Sequence, residues 1–151
     1  MVHYIKGDLL KSDCVYICHQ VNCQGAMNSG IAKSIRERWQ SVYDSYKMIA
    51  CPAKKGSIQL VWVQGNIRSL QCVVNMFSQE SYGYDGYKYT SYDAFWDCLT
   101  QLSKTAPKGT KIGFPDHIGC CRGGGNWEVI RTMIEEVLGK DYEVYIYKLE
   151  D

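Results

Sequence analysis

The chain has 151 residues, 46% of them hydrophobic and 22% charged, and its 17 basic and 16 acidic side chains leave a net charge of +1. That length fits one domain spanning residues 1–151, able to bury roughly two-thirds of its unfolded surface. The even charge, with no basic stripe, argues against a protein that holds nucleic acid by neutralising phosphates and favours a small ligand. No run reaches membrane length and no secretory leader is visible, so Cys14, Cys18, Cys51, Cys72 and Cys98, set in or beside apolar runs, are expected as reduced thiols of a cytoplasmic protein.

In chain order, "HYIKGD" reads as a short strand and "VYICHQVN" (15–22) as a second. Ile31, Ile35, Trp39, Val42, Tyr43 and Tyr46 then recur at helical spacing and predict one helix. "SIQLVWV" (57–63) and "QCVVNMF" (71–77) flank "QGNIRSL", the signature of a hairpin. A second helix is predicted through Tyr92, Phe95, Trp96, Leu99 and Leu102, with Thr90 or Ser91 as its cap. "KIGFP" (111–115) and "EVYIYKL" (143–149) are strands, and Trp127, Ile130, Met133, Ile134, Val137 and Leu138 form a helix between Asn126 as N-cap and Gly139 as stop. Strands interleaved with helices predict an α/β fold, a three-layer α/β/α arrangement around a mixed sheet.

In such sheets ligands gather beyond the carboxyl ends of the strands, and two loops there are rich in small residues. "NCQGAMNSG" links the strand ending at Asn22 to the first helix, and "DHIGCCRGGGNW" (116–127) links the strand ending at Pro115 to the last. Glycine lets backbone N–H groups approach a ligand and a helix N-terminus favours negative charge, so the pair is suited to gripping a diphosphate from both sides. A glycine turn is also ordinary chain geometry, and two of them at equivalent places carry more weight than one. Neither loop spells G-x-x-x-x-G-K-[ST] or G-x-G-x-x-G, which argues against a kinase or a common dehydrogenase. No Cys/His cluster has zinc spacing, so neither metal nor cofactor is expected.

"KGDLL" (6–10), "HQVNCQGAMNSGIA" (19–32), "VVNMFSQESYGYDGYKYTSYDAF" (73–95) and "FPDHIGCCRGGGNWEVI" (114–130), four motifs in order over nearly the whole chain, resemble a macrodomain. The likeness is to the branch that contains the yeast-type ADP-ribose 1''-phosphate phosphatase and the terminal ADP-ribose protein glycohydrolase. The resemblance implies that Asp8, with Leu9 beside it, accepts a hydrogen bond from the adenine amino group; the same carboxylate also suits a cap on "DLLKSD". It implies that Asn22 meets the distal ribose, that Gly25, Ala26, Met27, Asn28, Ser29, Gly30 and Ile31 form the first diphosphate loop, and that Pro115 leads into the second, formed by Gly119, Cys120, Cys121, Arg122, Gly123, Gly124, Gly125, Asn126 and Trp127.

The chain departs from the branch where a lysine and an aspartate perform covalent chemistry in some members. Phe77 and Ser78 stand near the lysine position, Arg122 or Gly123 near the aspartate position, and "GGNW" replaces "GGDW". No covalent lysine mechanism is therefore assigned. His19, matched by a histidine in phosphatase-like members, is the candidate acid or base, with Asn22 beside it; a hydrogen-bonded core histidine is the competing reading. Asp116 and His117, as neighbours on an extended segment, are expected to face opposite ways. Cys120 and Cys121 are expected to pack rather than attack. "SYGYDGYKYTSY" (81–92) suits a lid or a packed surface loop. The expected activity is hydrolysis at the distal ribose of ADP-ribose 1''-phosphate or of an ADP-ribosylated protein or other acceptor; a non-catalytic ADP-ribose reader is the alternative, and no membrane or nucleic-acid partner is expected.

Overall fold

A computed structural model describes residues 1–27, 30–50, 53–79, 88–120 and 123–149. Its strands are β1 (Val2–Lys6), β2 (Tyr16–Asn22), β3 (Ile58–Val63), β4 (Gln71–Gln79), β5 (Lys111–Pro115) and β6 (Glu143–Lys148). Its helices are α1 (Gly30–Arg38), α2 (Gln40–Ile49), α3 (Tyr92–Thr105) and α4 (Trp127–Leu138), with a single 3-10 turn at Leu9–Lys11. Asn28, Ser29, Cys51, Cys121, Arg122 and residues 80–87 of the tyrosine-rich segment lie outside the described residues.

The strands form one sheet in the order β1-β6-β5-β2-β4-β3. Every neighbouring pair is parallel except β3 and β4, which run antiparallel through the expected hairpin. Five carboxyl ends therefore lie along one edge. β2 and β4, in the middle, are buried on both faces and read as near-continuous apolar runs rather than alternating ones. α3 and α4 cover one face over Phe95, Leu99, Ile130 and Ile134; α1 and α2 cover the other over Ile35, Val42 and Tyr46.

The helix expected from residues 31 to 46 is two helices. Trp39 leaves the helical region at φ −133 and ψ 87, and its indole N–H donates to the carbonyl of Gln64 at the hairpin, 3.0 Å away. The apolar spacing survives because Ile35, Val42 and Tyr46 still reach the same buried cluster from either side of the break. Ser91, rather than Thr90, caps α3 by accepting from the Ala94 N–H, and Asn126 caps α4 as expected.

Candidate functional site

Along the carboxyl edge, Asp8 follows β1, Lys148 ends β6, Asp116 follows β5, Asn22 ends β2 and Gln79 ends β4. Backbone bonds tie these ends together: the Gly7 N–H donates to Lys148 O at 2.9 Å and the Asp116 N–H to Tyr147 O at 2.8 Å. Asp8 spends one oxygen as a cap, accepting from the Leu10 N–H at 2.9 Å, and its side chain stays half-buried. Leu9 is buried in the core on the α1/α2 side.

The first loop is shaped by Asn22. Its Oδ1 accepts from the N–H groups of Gln24 at 2.9 Å and Ala26 at 3.4 Å, and from the Tyr46 hydroxyl of α2 at 2.8 Å. Its Nδ2 donates to Ala26 O at 3.0 Å. Asn22 is only 7% exposed, and its amide organises the loop from within. Gln24 is exposed, Gly25 and Ala26 are half-buried, Met27 is buried, and Ile31 in the first turn of α1 packs partly against the same core.

The second loop opens with a turn that takes His117 out of extended structure, at φ 59. Asp116 and His117 consequently do not diverge: His117 Nδ1 and Asp116 Oδ2 are 2.7 Å apart, and the imidazole stacks on Trp127 at 5.0 Å between centroids. Gly119 has φ 74, and the loop closes on itself through the Gly125 N–H and Gly119 O at 2.9 Å. The N–H groups of Gly119, Gly123 and Gly124 find no backbone acceptor among the described residues. Asn126 accepts from the N–H groups of both Glu128 and Val129, so α4's first turn is satisfied by its own cap. The Cys120 thiol is half-buried and donates to Ile118 O at 3.4 Å, consistent with packing.

His19 and Gln20 lead from β2 to opposite faces. His19 is 0% exposed, beneath the α1/α2 layer, with Nε2 2.5 Å from Asn75 Oδ1. The direction of that bond follows from a carbonyl: Gln59 Nε2 donates to Ser45 O at 2.9 Å, leaving Gln59 Oε1 to accept from Asn75 Nδ2 at 3.0 Å. Asn75 Oδ1 must then accept, so His19 carries its proton on Nε2, and Nδ1 is buried without a partner. Burial, opposed by the Asn75 bond, holds its pKa from an ordinary 6.5 down to about 4. His19 thus sits at the end of a polar ladder with no exposed surface in this structure, the hydrogen-bonded core arrangement that competed with the acid–base reading.

Gln20 serves the other face, which sequence reading missed. Thr90 Oγ1 donates to Gly119 O at 2.7 Å and accepts from Gln20 Nε2 at 2.9 Å; Ser78 Oγ donates to Gln20 Oε1 at 2.6 Å. The N–H groups of Tyr89 and Thr90 both donate to Gly123 O, at 2.7 and 2.9 Å. A Cβ on Gly123 would stand 2.3 Å from Thr90 Oγ1 and 2.6 Å from Gly119 O, so only glycine lets the loop close here. The signal lay in a glutamine on one strand and a threonine 70 residues later, which no local motif connects.

No protein-family model matches the chain. Part of it is 42% identical to the ADP-ribose 1''-phosphate phosphatase of Scheffersomyces stipitis, over 30% of this chain and 30% of that protein. Another part is 35% identical to the DNA ADP-ribosyl glycohydrolase of Mycobacterium tuberculosis, over 40% of this chain and 16% of that protein. The chain thus spans less than a third of the length of either curated relative. Among solved structures, a protein from Bacteroides thetaiotaomicron superposes with a TM-score of 0.81 at 25% identity, covering 98% of this chain and 99% of that one. The macrodomain of Mycobacterium tuberculosis DarG gives 0.75 at 21%, covering 97% of both chains. Thermosipho africanus DarTG in complex with ADP-ribose gives 0.77 at 17%, covering 97% of this chain and 41% of that one. With its mixed six-stranded sheet between two helical layers, the chain has the macrodomain fold.

Proposed function

We propose that this protein binds ADP-ribose along the carboxyl edge of its sheet and hydrolyses a derivative of it at the distal ribose. The observation that carries the reading is the pairing of two small-residue loops at the ends of the adjacent parallel strands β2 and β5, with an acidic side chain, Asp8, two strands away after β1. Adenine at Asp8, diphosphate between the loops and distal ribose toward the ends of β2 and β4 follow the order of the strands. The complex of Thermosipho africanus DarTG with ADP-ribose supports the choice of ligand.

Hydrolysis is supported by the two relatives named as a phosphatase and a glycohydrolase. The substrate is ADP-ribose 1''-phosphate or an ADP-ribosylated acceptor. In this reading Asn22 acts by holding the first loop in shape, the loop backbone orients the attacking water, and the protein works in the cytoplasm as one domain without a cofactor.

The reader alternative has one observation in its favour: His19 is sealed from solvent and Ser78, near the branch's lysine position, is also fully buried. A phosphorus NMR time course with ADP-ribose 1''-phosphate separates the two. Inorganic phosphate appearing catalytically supports the phosphatase reading. Displaced diphosphate resonances without release support a reader or a hydrolase of another linkage, and unmoved resonances at saturating protein contradict ADP-ribose binding altogether.

A further inference from the structure

His117 is the positive-φ residue other than glycine among the described residues. A bulky side chain held in the left-handed region is retained where the surrounding structure over-determines it, and such residues cluster at ligand sites. Two contacts fix this one. Asp116 Oδ2, 2.7 Å away, accepts the hydrogen bond of Nδ1–H, and the Trp127 ring lies within 19° of parallel. Asp116 is largely covered, with 18% of its side chain exposed, while His117 keeps 50%. The carboxylate therefore holds the ring by Nδ1, and no hydrogen bond engages Nε2 among the described residues.

The position adds meaning to the geometry. The pair follows β5, between the β1/β6 end of the edge and the loop that closes over Gly119 and Gly123. Among the described residues of that loop, His117 is the one side chain able to carry positive charge. Facing it are Asp116 from its own loop and Trp127 from α4; the neighbouring Glu128 is engaged by Arg131 at 2.6 Å, and β6 contributes only the Tyr147 carbonyl that holds Asp116 N–H. Of the chain's three histidines, His19 is sealed and His3 lies in the first half of β1, bound to Glu143 at 2.7 Å.

We propose that the Asp116/His117 pair is a proton-controlled clamp on the ligand's diphosphate, the Nε2–H of the imidazolium donating to a phosphate oxygen. The inference rests on the ADP-ribose reading above. ADP-ribose is a diphosphate diester whose own charge does not change near neutral pH, so a pH dependence of its binding belongs to the protein.

The test is calorimetric titration with ADP-ribose at constant ionic strength, at about pH 5.5 and about pH 8.5, either side of the ordinary imidazole pKa. The wild-type protein binds about tenfold more tightly at the lower pH, the worth of one charge-assisted hydrogen bond. His117→Asn, chosen because asparagine tolerates the left-handed region, shows no slope. Asp116→Asn, which removes the carboxylate that orients the ring from 2.7 Å, weakens binding at the lower pH and reduces the slope. A flat wild-type profile overturns the clamp, and so does a slope that survives in His117→Asn. Absence of ADP-ribose binding by the wild type at every pH takes down the ligand reading beneath it, and the two failures are distinct.

Discussion

His19 and Gln20 are consecutive residues of one strand, and each starts a polar ladder whose direction is set by a backbone carbonyl at its far end. The His19 ladder runs through Asn75 and Gln59 to Ser45 O on α2 and never reaches the surface. The Gln20 ladder runs through Thr90 to Gly119 O and ends in the loop most suited to a ligand. The more reactive side chain is thus the sealed one, and the blander one braces the glycine loop. A histidine three residues short of the carboxyl edge is sealed beneath a helix.

The contrast breaks most visibly in acid. The unfolded chain protonates His19 near its ordinary 6.5, whereas the folded protein does so only near 4. Stability present above the first value is therefore lost as pH falls toward the second, on the order of 3 kcal/mol in all. Denaturant unfolding at stepped pH should show this slope, and His19→Gln should flatten it while leaving ADP-ribose affinity unchanged. An unaltered slope in the variant would give the loss to other groups.

The Gln20 side breaks at Gly123. Gly123→Val forces a Cβ against Thr90 Oγ1 and Gly119 O, so the loop must open. ADP-ribose affinity should fall by roughly tenfold or more while the sheet core remains folded, as followed by calorimetry and circular dichroism. Equal affinity would mean that this loop does not hold the ligand.

Asp8 sharpens the comparison, because it combines both kinds of role in one side chain. One oxygen caps the 3-10 turn, and Asp8→Ala should cost about 1 kcal/mol in a thermal melt for that reason alone. If the other oxygen receives the adenine amino group, the same variant narrows the preference for ADP-ribose over its inosine analogue, which lacks that amino group. A preference that stays the same would reduce Asp8 to a cap.

Much of the architecture was legible because period and burial agree. The runs at 15–22, 57–63, 71–77, 111–115 and 143–149 fall on the strands Tyr16–Asn22, Ile58–Val63, Gln71–Gln79, Lys111–Pro115 and Glu143–Lys148, and the spacing through Phe95 and through Ile130 is helical. The break at Trp39 was not legible, since the apolar spacing passes through it and its cause is the Gln64 carbonyl far along the chain. Nor was the sealing of His19, which depends on the order of the strands in the sheet. Asp116 and His117 defeated the alternation rule because His117 is not extended, and the Gln20/Thr90 link is a contact across the sheet that no spacing encodes.

The most direct test of the account is to follow every backbone amide by NMR while ADP-ribose is added. The account predicts that the largest shifts fall on Gly25 and Ala26 in the first loop and on Gly119 and Gly123–Asn126 in the second, with a smaller set at Asp8–Leu10. Shifts concentrated instead at the opposite edge, around Gln64–Leu70 and Gly139–Tyr142, would contradict it.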